Sequence, residues 1–231
     1  KRLGILDYDG TLVEFNENPE LAIPDKNLID LIKKLNNQKD TYVVIVSGRD
    51  KKFLNRWLGE IPITLIAEHG HYERTDNNWI RKLKKSNSWM EDLIPLFETF
   101  TDRTPGTFIE RKKNSLVWHY RKSDPELASD RVVEFKTVLS SLISEELQIL
   151  DLNKAIEIIS VRINKGLSIS NILKNNYDFI ICIGDDISDE YMFDSLPDDS
   201  FSIKVGNKNT SAKYYTQNAV EVRKLLKSII A

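Results

Sequence analysis

Asp7 and Asp9 stand two positions apart in the stretch LGILDYDGTL, residues 3–12, directly behind a short apolar run. A carboxylate beside an apolar core is costly unless something compensates its charge. A metal ion, a phosphoryl group in transit, or both would do so. A carboxylate can accept a phosphoryl group and later release it to water, and Asp7, which follows the run directly, is the expected nucleophile. Asp9 is the expected general acid toward a leaving alcohol and general base toward water. Two acids and a phosphate dianion repel one another, and a hard, oxygen-seeking cation relieves this; Mg2+ is the expected ion. Asp7 and Asp185 would offer it carboxylates and Asp9 its backbone carbonyl, with Asp186 and Asp189 either binding through water or orienting Lys165. Ser47 can hydrogen-bond a phosphate oxygen, and Lys165 can hold the charge of both the phosphate and Asp7.

These residues are useful only if the fold brings them together. LGIL reads as a short buried strand, TYVVIVSGR as a strand covered on both faces, and ITLIAEHG as a third. Helical spacing over residues 24–38 and in DKKFLNRWLGE separates them. Strands alternating with helices predict an α/β fold with a parallel sheet and right-handed crossovers. The pattern returns late in the chain: helix NKGLSISNILKN, strand DFIICIGDD, helix SDEYMFDSL, strand FSIKVG and a closing helix. In open α/β sheets ligands bind outside the carboxyl ends of the strands. Those ends are Asp7 with Asp9 and Thr11, Ser47-Gly48-Arg49, Glu68-His69-Gly70, and Asp185-Asp186 with Asp189. Taken singly, each has an ordinary reading as a turn or helix cap; their shared position at strand ends argues for one site.

Between these halves the pattern changes. A helix over 86–104 containing Pro95, the strand pair GTFIERK and SLVWHYR, a helix over 124–144, and the pair LQILDL and KAIEIISV describe an α+β unit with an antiparallel sheet. The expected division is a core from residues 1–81 and 163–231, with an insert at 82–162. On the insert, Glu110 and Lys112 share a strand face by period-two alternation, as do His119 and Arg121. Such a face suits sugar hydroxyls, or else it is the wet side of a one-sided sheet. Glu68 and His69 end an apolar strand on the active edge and are expected to touch substrate. The four tryptophans are expected to pack rather than to bind.

The 231 residues carry 33 Lys and Arg against 35 Asp and Glu, a formal charge of −2, which argues against binding nucleic acid through a general basic field. Cys182, in FIICIG, is the only cysteine, so no intrachain disulfide or cysteine zinc site can form, and a buried core thiol is expected. No apolar stretch reaches the about 20 residues of a membrane span. The four-residue run near the start is too short for a signal-peptide core. The default expectation is a cytoplasmic protein without membrane or nucleic-acid partners.

DYDGT, SGR, the lysine of NKG, and GDDISDE occur in this order and resemble the four motifs of the haloacid dehalogenase (HAD) superfamily of phosphohydrolases. The insert resembles that superfamily's C2-type cap. More narrowly, DYDGTL, SGRD, EHG, ERKKNSLVWHYR, NKG and GDDISDE together resemble the trehalose-6-phosphate phosphatases. The resemblance implies a HAD-like Rossmannoid core with an inserted α+β cap, Mg2+ dependence and an aspartyl-phosphate intermediate. It makes Asp7 the nucleophile and metal ligand, Asp9 the acid/base, Thr11 and Ser47 phosphate-site hydroxyls, Lys165 the stabilising cation and Asp185 a metal ligand, with Asp186, Asp189, Gly48 and Arg49 supporting. A sugar phosphate is the implied substrate, bound by Glu68, His69, Glu110, Lys112, His119 and Arg121, and association with a sugar-phosphate synthase is a further expectation. Where the family reads Glu-Asp-Lys this chain has Glu110-Arg111-Lys112; Gly-Lys becomes Asn153-Lys154, Asp-Lys-Gly becomes Asn164-Lys165-Gly166, and the usual Thr is Ser188. Sucrose-phosphate or mannosyl-phosphoglycerate phosphatases and phosphomutases share such a core, and a non-catalytic sugar-phosphate sensor is the rival class. A sensor with a decayed site would be expected to lack one of Asp7, Asp9, Lys165 or Asp185, and all four are present.

Overall fold

A computed structural model of the chain describes residues 1–16, 18–82, 87–206 and 209–230. It divides into two compact units, Lys1–Lys82 with Asn164–Ala231, and Leu83–Ile163.

The first unit is built on strands β1 (Arg2–Asp7), β2 (Thr41–Val46), β3 (Thr64–Ala67), β4 (Tyr72–Thr75) and β5 (Asn78–Arg81), joined after the insert by β10 (Phe179–Gly184), β11 (Phe201–Val205) and β12 (Tyr214–Thr216). Their order in the sheet is β12-β11-β10-β1-β2-β3-β4-β5. Six strands run parallel. The parallel sheet is as expected, and at one edge the structure adds β4 and β5, which pair antiparallel. They are joined by Asp76 and Asn77, both at positive φ (49° and 63°), the backbone of a tight two-residue hairpin. Short, polar β4 and β5, and three-residue β12, carry too little apolar pattern to be read as strands from sequence.

The apolar runs of the central strands follow from burial on both faces. Leu6, Val43, Ile45, Ile181 and Ile183 pack with Leu28, Ile32, Leu54 and Val222 from α1 (Lys26–Asn36), α2 (Lys51–Leu58) and α7 (Ala219–Ile230). The alternate residues Leu3, Ile5, Val44, Val46, Ile180 and Cys182 pack with Ile169, Met192 and Phe193 from α5 (Lys165–Leu173) and α6 (Ile187–Asp194). Cys182 is a fully buried core thiol. Among the described residues, no helix is long and apolar enough to cross a membrane.

The second unit has sheet order β6-β7-β9-β8, from β6 (Phe108–Arg111), β7 (Ser115–His119), β8 (Leu147–Leu152) and β9 (Ala155–Ser160). One face carries Leu116, Trp118, Ile156 and Ile158, which pack on Phe97 and Phe100 of α3 (Trp89–Asp102) and Phe135 and Leu139 of α4 (Pro125–Leu142). The expected start of α3 at Ser86 lies outside the described residues; the helix runs through Pro95. By register, Glu110, Val117 and Glu157 lie side by side on the other face.

Candidate active site

Because β1, β2, β3 and β10 are parallel, Asp7, Ser47, Glu68 and Asp185 leave the sheet at one edge. The residues between β1 and β2 begin with a tight turn. Gly10 has φ +75°, and a Cβ there would lie 2.4 Å from Asp185 Oδ2 and 2.5 Å from Phe15, so only glycine lets the turn approach that carboxylate. Asp7 is 3% exposed and Lys165 also 3%, although they lie 158 positions apart. Lys165 opens α5, where Asn164 caps the helix by accepting from Leu167 N–H at 2.8 Å, as the family's aspartate could. The Lys165 ammonium donates to Asp7 Oδ1 at 2.6 Å and to Asp189 Oδ1 at 2.7 Å.

Asp189 divides its two oxygens. Oδ1 takes Lys165, and Oδ2 accepts the backbone N–H groups of Asp185 and Asp186, both at 2.9 Å. These contacts place Asp189 against Lys165, and it also stands with Asp7 and Asp185 in one carboxylate cluster. Asp186 forms a reciprocal capping box with Asp189 at the start of α6 and accepts from Ile187 N–H. Asp7 Oδ2 and Thr11 Oγ are buried and have no hydrogen-bond partner among the described residues.

Asp7, Asp185 and Asp189 each bring an oxygen within 4.8 Å of the others. Three carboxylates against one buried ammonium leave excess negative charge. Burial, then the Asp189 charge, push the Asp7 carboxyl up to about 7 despite Lys165. Burial and the charge of Asp7 likewise raise Asp185 well above the usual carboxylate range. Burial lowers the Lys165 pKa, but Asp189 and Asp7 outweigh it and the net direction is upward. An all-oxygen donor set with surplus charge and an orphaned buried oxygen on Asp7 fits a hard divalent cation. Asp7 in the folded protein holds its proton above the ordinary value of 3.8. The Asp7 contribution to stability is therefore fully present below about pH 4 and is lost as pH rises through about 7. Thermal melts of chelator-treated protein should fall across this window, and a divalent cation should flatten the fall.

Asp9 faces Arg49, which donates Nε to Oδ2 at 2.8 Å and Nη2 to Oδ1 at 2.6 Å, a two-pronged pair. Burial lowers the Arg49 pKa, but Asp9 more than restores it, so Arg49 stays charged. Arg49 also stacks over Phe53, 4.5 Å from the ring centroid. Ser47, 1% exposed, accepts the Arg49 N–H through its hydroxyl at 3.0 Å. The turn Glu68–Gly70 docks on this segment: Glu68 N–H donates to Arg49 O at 2.9 Å and His69 N–H to Ser47 O at 3.0 Å. A Cβ at Gly48 would lie 2.6 Å from His69 Nε2. Glu68 and His69 both take positive φ, 49° and 55°, a conformation that side chains rarely adopt and that collects at functional sites.

Glu110, Lys112, His119 and Arg121 belong to the second unit. His119 Nε2 lies 2.8 Å from Glu110 Oε2. Burial raises the Glu110 pKa, but the His119 bond and the charge of Lys112 outweigh it and hold the carboxyl below its usual range. Lys112 and Arg121 are corrected in position: β6 ends at Arg111 and β7 at His119, so both lie just beyond the strands. Arg121 Nη2 donates to Asn153 O at 2.7 Å. Arg111 pairs with Glu91 on α3. Sequence reasoning passed over Glu157, fully buried on β9, which binds Lys112 Nζ at 3.3 Å and the Ser115 hydroxyl. Its signal was a lone charge inside the apolar run AIEII, which demands a partner.

Residues 5–220 match the family model for trehalose-phosphatase. The chain belongs to the trehalose-phosphatase family. Among this family's members it is 36% identical to the bifunctional trehalose-6-phosphate synthase/phosphatase of Thermoproteus tenax, over 99% of the chain and 32% of that protein. It is likewise 36% identical to the trehalose-phosphatase of Saccharomyces cerevisiae, over 85% of the chain and 25% of that protein. The chain thus spans about a third or less of the curated relatives it matches. The fold superposes on the C-terminal domain of Candida albicans trehalose-6-phosphate phosphatase with a TM-score of 0.94 at 28% identity, covering 100% of this chain and 92% of that one.

Proposed function

We propose that this protein hydrolyses trehalose 6-phosphate to trehalose and phosphate, through a phosphoryl group held transiently on Asp7. The observation that carries the reading is the buried Asp7 carboxylate, one oxygen fixed by Lys165 and the other without a hydrogen-bond partner among the described residues, in a chain of the trehalose-phosphatase family. In this reading one oxygen of the Asp7 carboxylate attacks phosphorus, the bond from phosphorus to the sugar oxygen breaks, and Asp9 protonates the departing oxygen. Asp9 then takes a proton from water, which attacks the aspartyl-phosphate and frees phosphate and Asp7. Arg49 holds both Asp9 oxygens in the form described, so Asp9 acts as the acid only after it leaves that pair and takes up a proton, while Thr11, Ser47 and Lys165 receive the phosphate oxygens. Mg2+ is the proposed ion, held by Asp7, Asp185 and the Asp9 carbonyl; when bound it supplies Lewis-acid charge that offsets the dianion. Asp186 and Asp189 hold the turn and Lys165 in place.

The unit of Leu83–Ile163 is the proposed C2-type cap and the remaining unit the catalytic core. Glu110, Lys112, His119 and Arg121 are the proposed sugar contacts of the cap, with Glu68 and His69 those of the core. A relative named as both synthase and phosphatase supports association with a sugar-phosphate synthase, and a cytoplasmic setting suits that role.

The test is phosphate release from trehalose 6-phosphate, sucrose 6-phosphate, glucose 6-phosphate and an aryl phosphate, with Mg2+ and after chelation. The trehalose ester should lead, and chelation should stop all four. Glucose 6-phosphate turned over as fast would remove the disaccharide assignment. Glu110 is the better cap probe, since truncating Lys112 also strands the buried Glu157. Glu110→Ala should cut kcat/KM for trehalose 6-phosphate by about ten- to a hundredfold, one lost polar contact, and barely change aryl phosphate turnover. Equal losses on both substrates would point to cap folding instead.

A further inference from the structure

Lys204 on β11 is 1% exposed and has no part in the phosphoryl transfer proposed above. A buried ammonium persists only where acceptors replace water. Lys204 Nζ donates to the backbone carbonyl of Asp186 at 3.0 Å and to Glu190 Oε1 at 2.6 Å. Glu190 Oε2 in turn accepts the Thr210 hydroxyl at 3.0 Å, the Ser211 N–H at 2.9 Å and the Ser211 hydroxyl at 3.1 Å. Burial raises the Glu190 pKa, but Lys204 and Ser211 outweigh it and hold the carboxyl below its usual range. One ion pair therefore joins the start of α6, the end of β11 and the segment beyond it.

The point of attachment matters. The Asp186 carbonyl also accepts Asp189 N–H at 3.1 Å. Asp189 Oδ2 holds the N–H groups of Asp185 and Asp186. Asp186 is thus held at its N–H by Asp189 and at its carbonyl by Lys204 and Asp189, which leaves its backbone little freedom. The neighbouring Asp185 carboxylate inherits that constraint. Asp189 is already committed to Lys165, and Lys204 reaches this turn from a different strand.

We infer that Lys204, braced by Glu190, is a positioning residue that fixes the Asp185–Asp186 turn so that Asp185 is presented to a divalent cation, and that it governs metal affinity more than the phosphoryl-transfer step. The inference rests on the metal reading of the proposed function. Residues that orient a metal ligand from behind typically change metal affinity by about 10–100-fold when removed.

The test titrates Mn2+ into metal-free protein and follows free ion by electron paramagnetic resonance, which needs no turnover. Lys204→Met should weaken Mn2+ binding about tenfold or more and raise the Mg2+ concentration for half-maximal aryl phosphate hydrolysis to match. At saturating Mg2+, kcat should stay within about threefold. Lys204→Met also leaves the half-buried Glu190 without its cation, so Lys204→Met/Glu190→Gln removes that uncompensated charge and should recover thermal stability while metal affinity stays low. Should the single variant fail to fold, the double variant decides. Wild-type Mn2+ affinity in a folded double variant would overturn the inference, because Lys204 would then serve only to balance Glu190. Wild-type protein that binds no Mn2+ would overturn the metal reading and the inference with it, whereas failure to hydrolyse trehalose 6-phosphate by a protein that does bind Mn2+ would touch the substrate assignment alone.

Discussion

Asp7→Asn should yield a folded protein without measurable turnover. The amide matches the carboxylate in shape but cannot form an acyl-phosphate, and it is a poor ligand for a hard cation. The expected loss is roughly 10⁴-fold or more, in line with deletion of a covalent nucleophile elsewhere. A beryllium fluoride adduct, which mimics the phosphoryl group on an aspartate, should form on the wild type and not on the variant. The fold should survive for an electrostatic reason. Asp7 shares its pocket with Asp185 and Asp189 and with a single ammonium, and burial and repulsion already push its carboxyl up to about 7. Neutralising it relieves repulsion, so the metal-free variant should melt no lower than wild type at pH 7 and above. Normal turnover by the folded variant would end the nucleophile assignment.

Lys165→Met should damage both stability and activity. The ammonium is 3% exposed and lies between Asp7 and Asp189 at 2.6 and 2.7 Å. Removing the cation from a buried cluster leaves its carboxylates uncompensated, at a cost of about 3–5 kcal/mol. Hydrolysis should fall about a hundredfold or more even for aryl phosphate, because the lost charge faces the transferring group itself. Denaturant melts and aryl phosphate assays check the two effects separately. The double variant Lys165→Met/Asp7→Asn should regain part of the lost stability and none of the activity. A Lys165→Met protein as stable as wild type would mean that Asp7 and Asp189 do not share the ion pair described.

What local pattern encodes was legible in the sequence. Apolar runs such as VVIV and FIICIG mark strands buried on both faces, and their alternation with helices dictates a largely parallel sheet. Parallel strands put all their carboxyl ends on one edge, and with them Asp7, Ser47, Glu68 and Asp185. That inference needs only burial and periodicity, properties of neighbouring residues. The β4–β5 hairpin escaped because its strands are four residues each and polar; its one local mark is Asp76-Asn77 in a turn that requires positive φ. Tertiary structure alone decided who pairs with whom. Asp189 could have met a metal through water or oriented Lys165, and its contacts go to Lys165 and the Asp185–Asp186 backbone. Arg49 clamps Asp9 from 40 positions away, Lys112 neutralises Glu157 from 45, and Lys165 reaches Asp7 from 158. The Coulomb energy of such pairs varies with separation in ångströms and with the local dielectric, several-fold between surface and interior. Neither quantity is a property of a residue and its sequence neighbours; both exist only once the chain has folded.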